Sequence, residues 1–287
     1  MSGRPKIGII GFGFIGKAFA HGFSLHADLR IYDKYQDSQH TLEETVNQSD
    51  YLVIGVPSPM KDDGSQDLSY LADAISSINK VATHQKVIII KSTVVPGTTR
   101  AFAMKFPNHY FVSNPEFLTQ RTFRLDFINT ARVIIGGPKQ ATGWVRRLYR
   151  GRFPHTPVYM TTWEAAEIVK YMTNCFFALK ISFCNEMYKV AEAVQIPYDD
   201  LKLMWMADGR IGNSHLDVPG HDGDFGYGGK CFPKDVQAFI KWIESLGLTA
   251  ETLSAAERVN NSVRKNRDWE EIKGATSQCQ YVEDKDV

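Results

Sequence analysis

Cys231 sits in the stretch FGYGGKCFPKD, where glycines allow close backbone packing and Pro233 suits the opening of a helix. A thiol facing the N-terminus of such a helix, with Lys230 and Lys234 beside it, is favoured as thiolate, the form a nucleophile needs. Asp235 follows one helical turn later, next to the same place. Cys175 and Cys184 lie within an apolar helical stretch and read as inert packing thiols. Lys170 and Asn174 stand four apart, so on a helix they project from one face as an ammonium and an amide donor that together could hold an oxyanion. Taken alone, such a pair is better explained by a solvated lysine near a chance asparagine, and only the wider pattern reverses that.

A second chemical signal is GFGFIG, with Gly11, Gly13 and Gly16 placed between an apolar run and helical spacing. In that context the first glycine permits a tight turn and the second lets the backbone approach a pyrophosphate. The third allows helix and sheet to pack closely, with the phosphates at the helix N-terminus. Asp33, 20 residues after Gly13, can accept hydrogen bonds from both adenine-ribose hydroxyls and would repel a 2'-phosphate. The expected cofactor is therefore NAD rather than NADP, with Lys34 pulling slightly the other way.

These groups need a scaffold. Short apolar runs at 6–10, 29–32, 51–56, 86–90, 110–112 and 131–135 read as six strands, separated by helical or loop segments such as 68–83. That rhythm predicts an α/β fold with a doubly wound parallel sheet, the Rossmann arrangement. Beyond about residue 160 the strand signals stop. Residues 162–194 read as one long helix, followed by shorter ones near 199–207, 233–243 and 252–269, so an all-helical domain with a long central helix follows the first. The expected division is 1–160 for the NAD-binding domain, 161–272 for a helical dimerisation and catalytic domain, and 273–287 for a disordered tail.

Composition sets outer bounds. With 33 Lys and Arg against 32 Asp and Glu among 287 residues, no global field attracts nucleic acid or an anionic membrane. Four cysteines without a CxxC pair suit a reducing cytoplasm, and no targeting or transmembrane segment is read. The loop 213–227 carries His215, Asp217, His221, Asp222 and Asp224, types that could ligate a divalent metal, but polar loops hold such residues for solvation and no metal is expected.

Four motifs in order, STVVPGTT (92–99), NPEFL (114–118), EAAEIVKYMTNCFFALKISFCNEM (164–187) and GYGGKCFPKD (226–235), make the chain resemble the UDP-glucose/GDP-mannose 6-dehydrogenases. The similarity runs from residue 6 to about 265 and covers the first two of that family's three domains. The resemblance implies oxidation of a nucleotide sugar at C6, alcohol to carboxylate, with two NAD and one water. Cys231 would add to the intermediate aldehyde to give a thiohemiacetal, then a thioester.

By the same resemblance Lys170 and Asn174 stabilise oxyanions, Asp235 with Thr93 positions water or accepts a proton, and Glu116 is the general base for the thioester steps. Cofactor contacts are implied for Gly11, Gly13, Phe14, Ile15, Gly16, Asp33, Lys34, Val56, Pro57, Ser58, Ser92, Thr93, Glu116 and Lys234. The substrate would meet Glu116, Phe117, Leu118, Lys170, Asn174, Phe225, Gly226, Tyr227, Gly228 and Cys231. Arg210 would reach the substrate of a neighbouring subunit, implying a homodimer built on the long helix.

Two departures stand out. Gln120 replaces a second glutamate, with Arg121 after it in place of glycine, and the chain ends near where the third domain is expected to begin. UDP-glucose is the favoured substrate, GDP-mannose or another UDP-sugar the alternative. A non-catalytic NAD-binding subunit and a hydroxyacid dehydrogenase are the readings from other classes, and the latter has no use for GKCFPKD.

Overall fold

A computed structural model describes residues 3–279. They form two compact units: one from 3–58 and Asp67–Lys170, the other from Pro59–Gln66 and 171–279. The division falls between Lys170 and Tyr171, inside the long helix and later than the 160/161 boundary expected from the end of the strand signals.

The first unit alternates strand and helix: β1 (Lys6–Ile10), α1 (Phe14–Phe23), β2 (Asp28–Tyr32), α2 (Leu42–Asn47), β3 (Tyr51–Ile54), α3 (Ser69–Val81), β4 (Val87–Ile90), α4 (Thr98–Lys105), β5 (Tyr110–Ser113), α5 (Phe123–Ile128), β6 (Val133–Gly136), α6 (Lys139–Arg152) and β7 (Val158–Thr161). The sheet order is β2-β1-β3-β4-β5-β6-β7. Six strands were expected and seven are present among the described residues. All pairings are parallel except β5 with β6, which meet antiparallel at Ser113 and Gly136.

The continuous apolar runs arise because both faces of the central strands are covered. Side chains alternate between faces. Ile7, Ile9, Val53, Ile89 and Val112 pack with Phe19, Phe23, Phe127 and Tyr149 from α1, α5 and α6, and with Phe153 just past α6. Ile10, Leu52, Ile54, Ile88, Ile90 and Phe111 pack on the other face with Leu71, Ile75, Ile78 and Phe102 from α3 and α4. Each such fully buried aliphatic side chain contributes about 1.5–3 kcal/mol. Strand order reverses between β1 and β3, which places a ligand crevice at their carboxyl ends.

The second unit is built on the long helix α7 (Trp163–Ala193), of which it holds the part from Tyr171 onward, with α8 (Tyr198–Met206), α9 (Phe232–Ser245) and α10 (Glu251–Val263). A short 3-10 turn covers Asp268–Glu270, where the sequence reading had extended the last helix. The segment Pro59–Gln66 belongs here because Met60 is bonded on both sides of its peptide: its N–H donates to Ala275 and its carbonyl accepts from Ser277. Residues 273–279 are therefore hydrogen-bonded structure where a disordered tail was expected, while 280–287 lie outside the described residues.

Candidate active site

In the first unit Gly11 and Gly16 pack as closely as their spacing implied. Gly11 has φ +88°, and a Cβ there would stand 2.9 Å from the Gly55 backbone, so only glycine fits. A Cβ on Gly16 would run into the Gly11 carbonyl, which keeps α1 tight against the turn. A Cβ on Gly13 would meet no protein atom within 4 Å, so packing inside the chain does not explain that glycine. Gly13 is also the N-cap of α1, whose first turn carries no side-chain cap and no acidic residue. Open space over free helix N–H groups suits the phosphates of a dinucleotide. Phe14 and Ile15 open that helix, with Ile15 buried.

Asp33, just past β2, ties this turn down: Oδ2 accepts the Phe12 N–H at 2.6 Å and Oδ1 the Tyr35 N–H at 2.8 Å. Lys34, the residue that weakened the NAD preference, is paired with Asp73 at 3.0 Å, which raises its pKa through that hydrogen bond. The loops after β3 and β4 are joined by two hydroxyls. Ser58 Oγ donates to the Thr93 carbonyl at 2.8 Å, and Ser92 Oγ donates to the Val56 carbonyl at 2.7 Å, with Pro57 between the two bonds in sequence. Asp33, Val56, Ser58, Ser92 and Thr93 thus all follow strand carboxyl ends.

Also in this unit, Glu116 and Lys170 form a buried ion pair at 3.2 Å. Glu116 Oε2 accepts the Leu118 N–H at 2.6 Å, which curls NPEFL back on itself. The Phe117 ring lies under two cations, Arg132 at 4.3 Å and Lys170 at 5.6 Å. One turn before Lys170, Glu167 accepts from Gly97 N–H (2.7 Å), Thr99 N–H (3.0 Å) and Thr99 Oγ1 (2.6 Å), so a carboxylate from α7 caps α4. Burial pushes Glu167 up to about 7, outweighing those donors.

In the second unit Cys231 is the N-cap of α9 and partly exposed, with its carbonyl accepting from Asp235 N–H at 3.0 Å. Phe232 is the first helical residue, so Pro233 is the second. Asp235 is buried and shared: Oδ2 accepts Asn174 Nδ2 at 2.6 Å, and Oδ1 pairs with Lys234 at 2.5 Å. Lys234 is thus committed to its neighbour. Cys175 and Cys184 are buried, and desolvation raises both thiol pKa values, as expected of inert packing residues. Arg210 is 88% exposed and paired with Asp208.

GYGG is organised by α10 and the turn beyond it. A Cβ on Gly226 would strike Asn260, and one on Gly228 would strike Arg264. Tyr227 is buried, and Phe225 packs edge-on to Tyr188. These residues were expected at the substrate, and their internal packing alone accounts for the glycines at 226 and 228. Arg264, its side chain 2% exposed, binds Asp222 at 2.7 Å, Asp268 at 3.1 Å and Asp224 at 3.6 Å. The loop acids that could have ligated a metal are thus held by a guanidinium, Asp217 is bound by Lys202, and the His215 ring stacks on Phe177 at 4.1 Å. Sequence reasoning missed Lys91, Glu167, Asn260 and Arg264. Their signals were a lysine closing an apolar strand, a glutamate inside a helical motif, and the four-residue spacing of 260, 264 and 268.

A parallel sheet with this turn at its reversal point is a dinucleotide-binding domain. Residues 30–152 match the NAD binding domain of the UDP-glucose/GDP-mannose dehydrogenase family, and residues 164–262 match that family's central domain. The chain belongs to this family, and the cofactor of its first unit is NAD.

A UDP-glucose dehydrogenase structure from Pyrobaculum islandicum aligns at 30% identity and TM-score 0.81, over 91% of this chain and 69% of that one. The putative UDP-glucose 6-dehydrogenase YtcA of Bacillus subtilis is 32% identical over 231 residues, 77% of this chain and 52% of its own length. A 3-hydroxyisobutyrate dehydrogenase from Mycobacterium tuberculosis shares the fold at TM-score 0.71 with 16% identity. The chain spans about half the length of the Bacillus subtilis UDP-glucose 6-dehydrogenases it matches. Among the described residues no helix is long and apolar enough to cross a membrane.

Proposed function

We propose that the chain oxidises a nucleotide sugar, UDP-glucose foremost, from the C6 alcohol to the carboxylate through a covalent bond to Cys231. The observation that carries this is the thiol at the α9 N-terminus, with Asp235 one turn on and tied to Asn174. NAD held at the turn of Gly11, Gly13 and Gly16 would supply the hydride acceptor, one for each oxidation and two for each sugar.

In the first oxidation C6 loses a hydride, and its hydroxyl proton passes to Asp235, leaving the aldehyde. The Cys231 thiolate adds to that carbon, and the oxygen becomes an alkoxide stabilised by Lys170 and Asn174, then takes the proton back from Asp235. Loss of that proton to Glu116 and of a second hydride leaves a thioester. Water positioned by Asp235 and Thr93 breaks the C–S bond, returning the thiol and the acid. Arg210 serves the site of a neighbouring copy, and Lys234 reaches the bound ligands once Asp235 releases it.

The copies pair along α7. Met172, Phe176, Phe183 and Val190 are exposed there at spacings of 4, 7 and 7, one apolar stripe along a single helix face. A second copy of the chain covers it.

Incubation with NAD and UDP-glucose, GDP-mannose or a hydroxyacid panel tests the proposal by counting NADH per substrate consumed. Two equivalents support it, and one with a hydroxyacid refutes it. Retained NAD binding without turnover points to a non-catalytic subunit. Cys231→Ser is expected to lower acid formation by roughly 10³-fold or more while NAD affinity is kept.

A further inference from the structure

Lys91 follows β4 and is 3% exposed, yet none of the steps above uses it. Its Nζ donates to the Asn114 carbonyl at 3.1 Å and to Asn114 Oδ1 at 3.2 Å, and lies 3.5 Å from Tyr149 Oη. Tyr149 Oη donates to the same Asn114 Oδ1 at 2.5 Å, and Asn114 Nδ2 donates to the Ile134 carbonyl at 2.8 Å. Every one of these partners is neutral. A buried ammonium held only by neutral acceptors is costly unless an opposite charge stands near. The opposite charge is Glu116, two residues beyond Asn114 and buried, whose attraction opposes the effect of burial on Lys91 while Lys170 repels it.

We propose that Lys91 is a positioning residue for Glu116: it clamps Asn114 at the start of NPEFL and supplies a second buried positive charge that acts on the Glu116 carboxylate together with Lys170. The role rests on the reading of Glu116 as the base of the proposed reaction. Its physical consequence is a cluster with two cations and one anion, all nine-tenths or more buried. Such a cluster carries a net positive charge, which favours anionic groups reaching it.

The groups facing Lys91 are Asn114 and Glu116 after β5, Tyr149 on α6 and Lys170 on α7. Tyr149 stays neutral because burial raises its pKa. Burial lowers Lys91 to about 8, so its charge is switchable within the working range of an enzyme.

The test is a ¹³C NMR titration of the full chain with labelled glutamate, the Glu116 signal being assigned by its loss in Glu116→Gln. In the unchanged protein that signal is expected to show a second, smaller step near pH 8. Lys91→Arg, whose charge does not titrate, removes that step and leaves the main one in place. Lys91→Met moves the main step up by about one pH unit, the size expected for loss of a nearby buried charge. A purely structural lysine would change stability and leave the Glu116 titration alone.

A single-step Glu116 curve in the unchanged protein overturns the proposal, even if Lys91→Met does not fold. A folded Lys91→Met protein with an unshifted curve does the same. Absence of turnover with every nucleotide sugar would sink the proposed reaction and leave this titration to stand or fall separately.

Discussion

Asn260 holds Tyr227 by both ends of its amide: Oδ1 accepts the Tyr227 N–H at 2.6 Å and Nδ2 donates to the Tyr227 carbonyl at 3.1 Å. The side chain pairs with a buried peptide as a neighbouring strand would, in a segment that has no strand beside it. Asn185 Oδ1 accepts the adjacent Gly226 N–H at 3.1 Å, and Asp268 accepts Gly229 N–H with both oxygens. The run that delivers Cys231 to α9 is therefore positioned by side chains, chiefly from α10 and the turn after it.

Asn260→Ala leaves a buried N–H and a buried carbonyl without partners, at about 2–4 kcal/mol together. Asn261→Ala, on the exposed side of the same helix, is expected to change stability by less than about 0.5 kcal/mol. Chemical denaturation of the two variants compares them. Equal losses would show that the Asn260 amide does not hold the Tyr227 peptide.

Much of the first unit was legible because its strands are covered on both faces. Val87–Ile90 contains nothing but apolar residues, and such a run bounded by polar ones has few other uses. β7 was missed because it is an edge strand with Tyr159 and Met160 exposed, so no apolar run marks it. α6 was missed because four arginines crowd its 14 residues and leave Val145, Leu148 and Tyr149 as its main buried apolar positions. The antiparallel contact of β5 with β6 rests on one residue pair, which no local pattern encodes. Of the candidate residues, Cys231, Asp235, Glu116 and Lys170 could be read from motifs. Arg264 and Lys91 could not, because Arg264 meets Asp222 across 42 residues and Lys91 meets Tyr149 across 58.

Asp33 holds the glycine turn through the Phe12 N–H, and its proposed second role is to set the choice of cofactor. Asp33→Ser removes the negative charge that opposes a 2'-phosphate, and the ratio of NADPH to NADH affinity is expected to rise at least about tenfold. Lys34→Ala breaks only the exposed pair with Asp73, worth less than about 1 kcal/mol, and leaves the ratio nearly unchanged. Fluorescence titration with each reduced cofactor measures both. A ratio that moved with Lys34 and not with Asp33 would reverse the assignment.

The α7 stripe gives an oligomer prediction. Phe176→Glu and Phe183→Glu each place a charge on the exposed apolar face, where the side chains are 58% and 44% exposed in a single copy. Neither side chain belongs to the buried core, and Phe183→Glu gives up a ring contact with the partly buried Trp205 at 5.7 Å, so both variants are expected to fold. Burying an unpaired carboxylate in a dimer is costly, so sedimentation equilibrium is expected to show the unchanged chain as a dimer and both variants as monomers. Unaltered association in both would move the interface elsewhere.

Glu167 makes stability depend on pH with a definite sign. Its carboxyl is raised from the ordinary 4.5 to about 7 by burial, so between those values the folded chain holds a proton that the unfolded chain has released. Stability from this group therefore falls as pH rises through that window, by about 3 kcal/mol at most, and is flat above it. Glu167→Gln removes the titration. Its Oε1 still accepts from Thr99, while its Nε2 faces the Gly97 N–H without an acceptor, a cost that does not vary with pH. The unfolding free energy of the unchanged chain minus that of Glu167→Gln is thus expected to decline from pH 4.5 to 7 and then level off. A difference that rose over this interval would mean that the Gly97 and Thr99 donors outweigh burial and that Glu167 caps α4 as a stable anion.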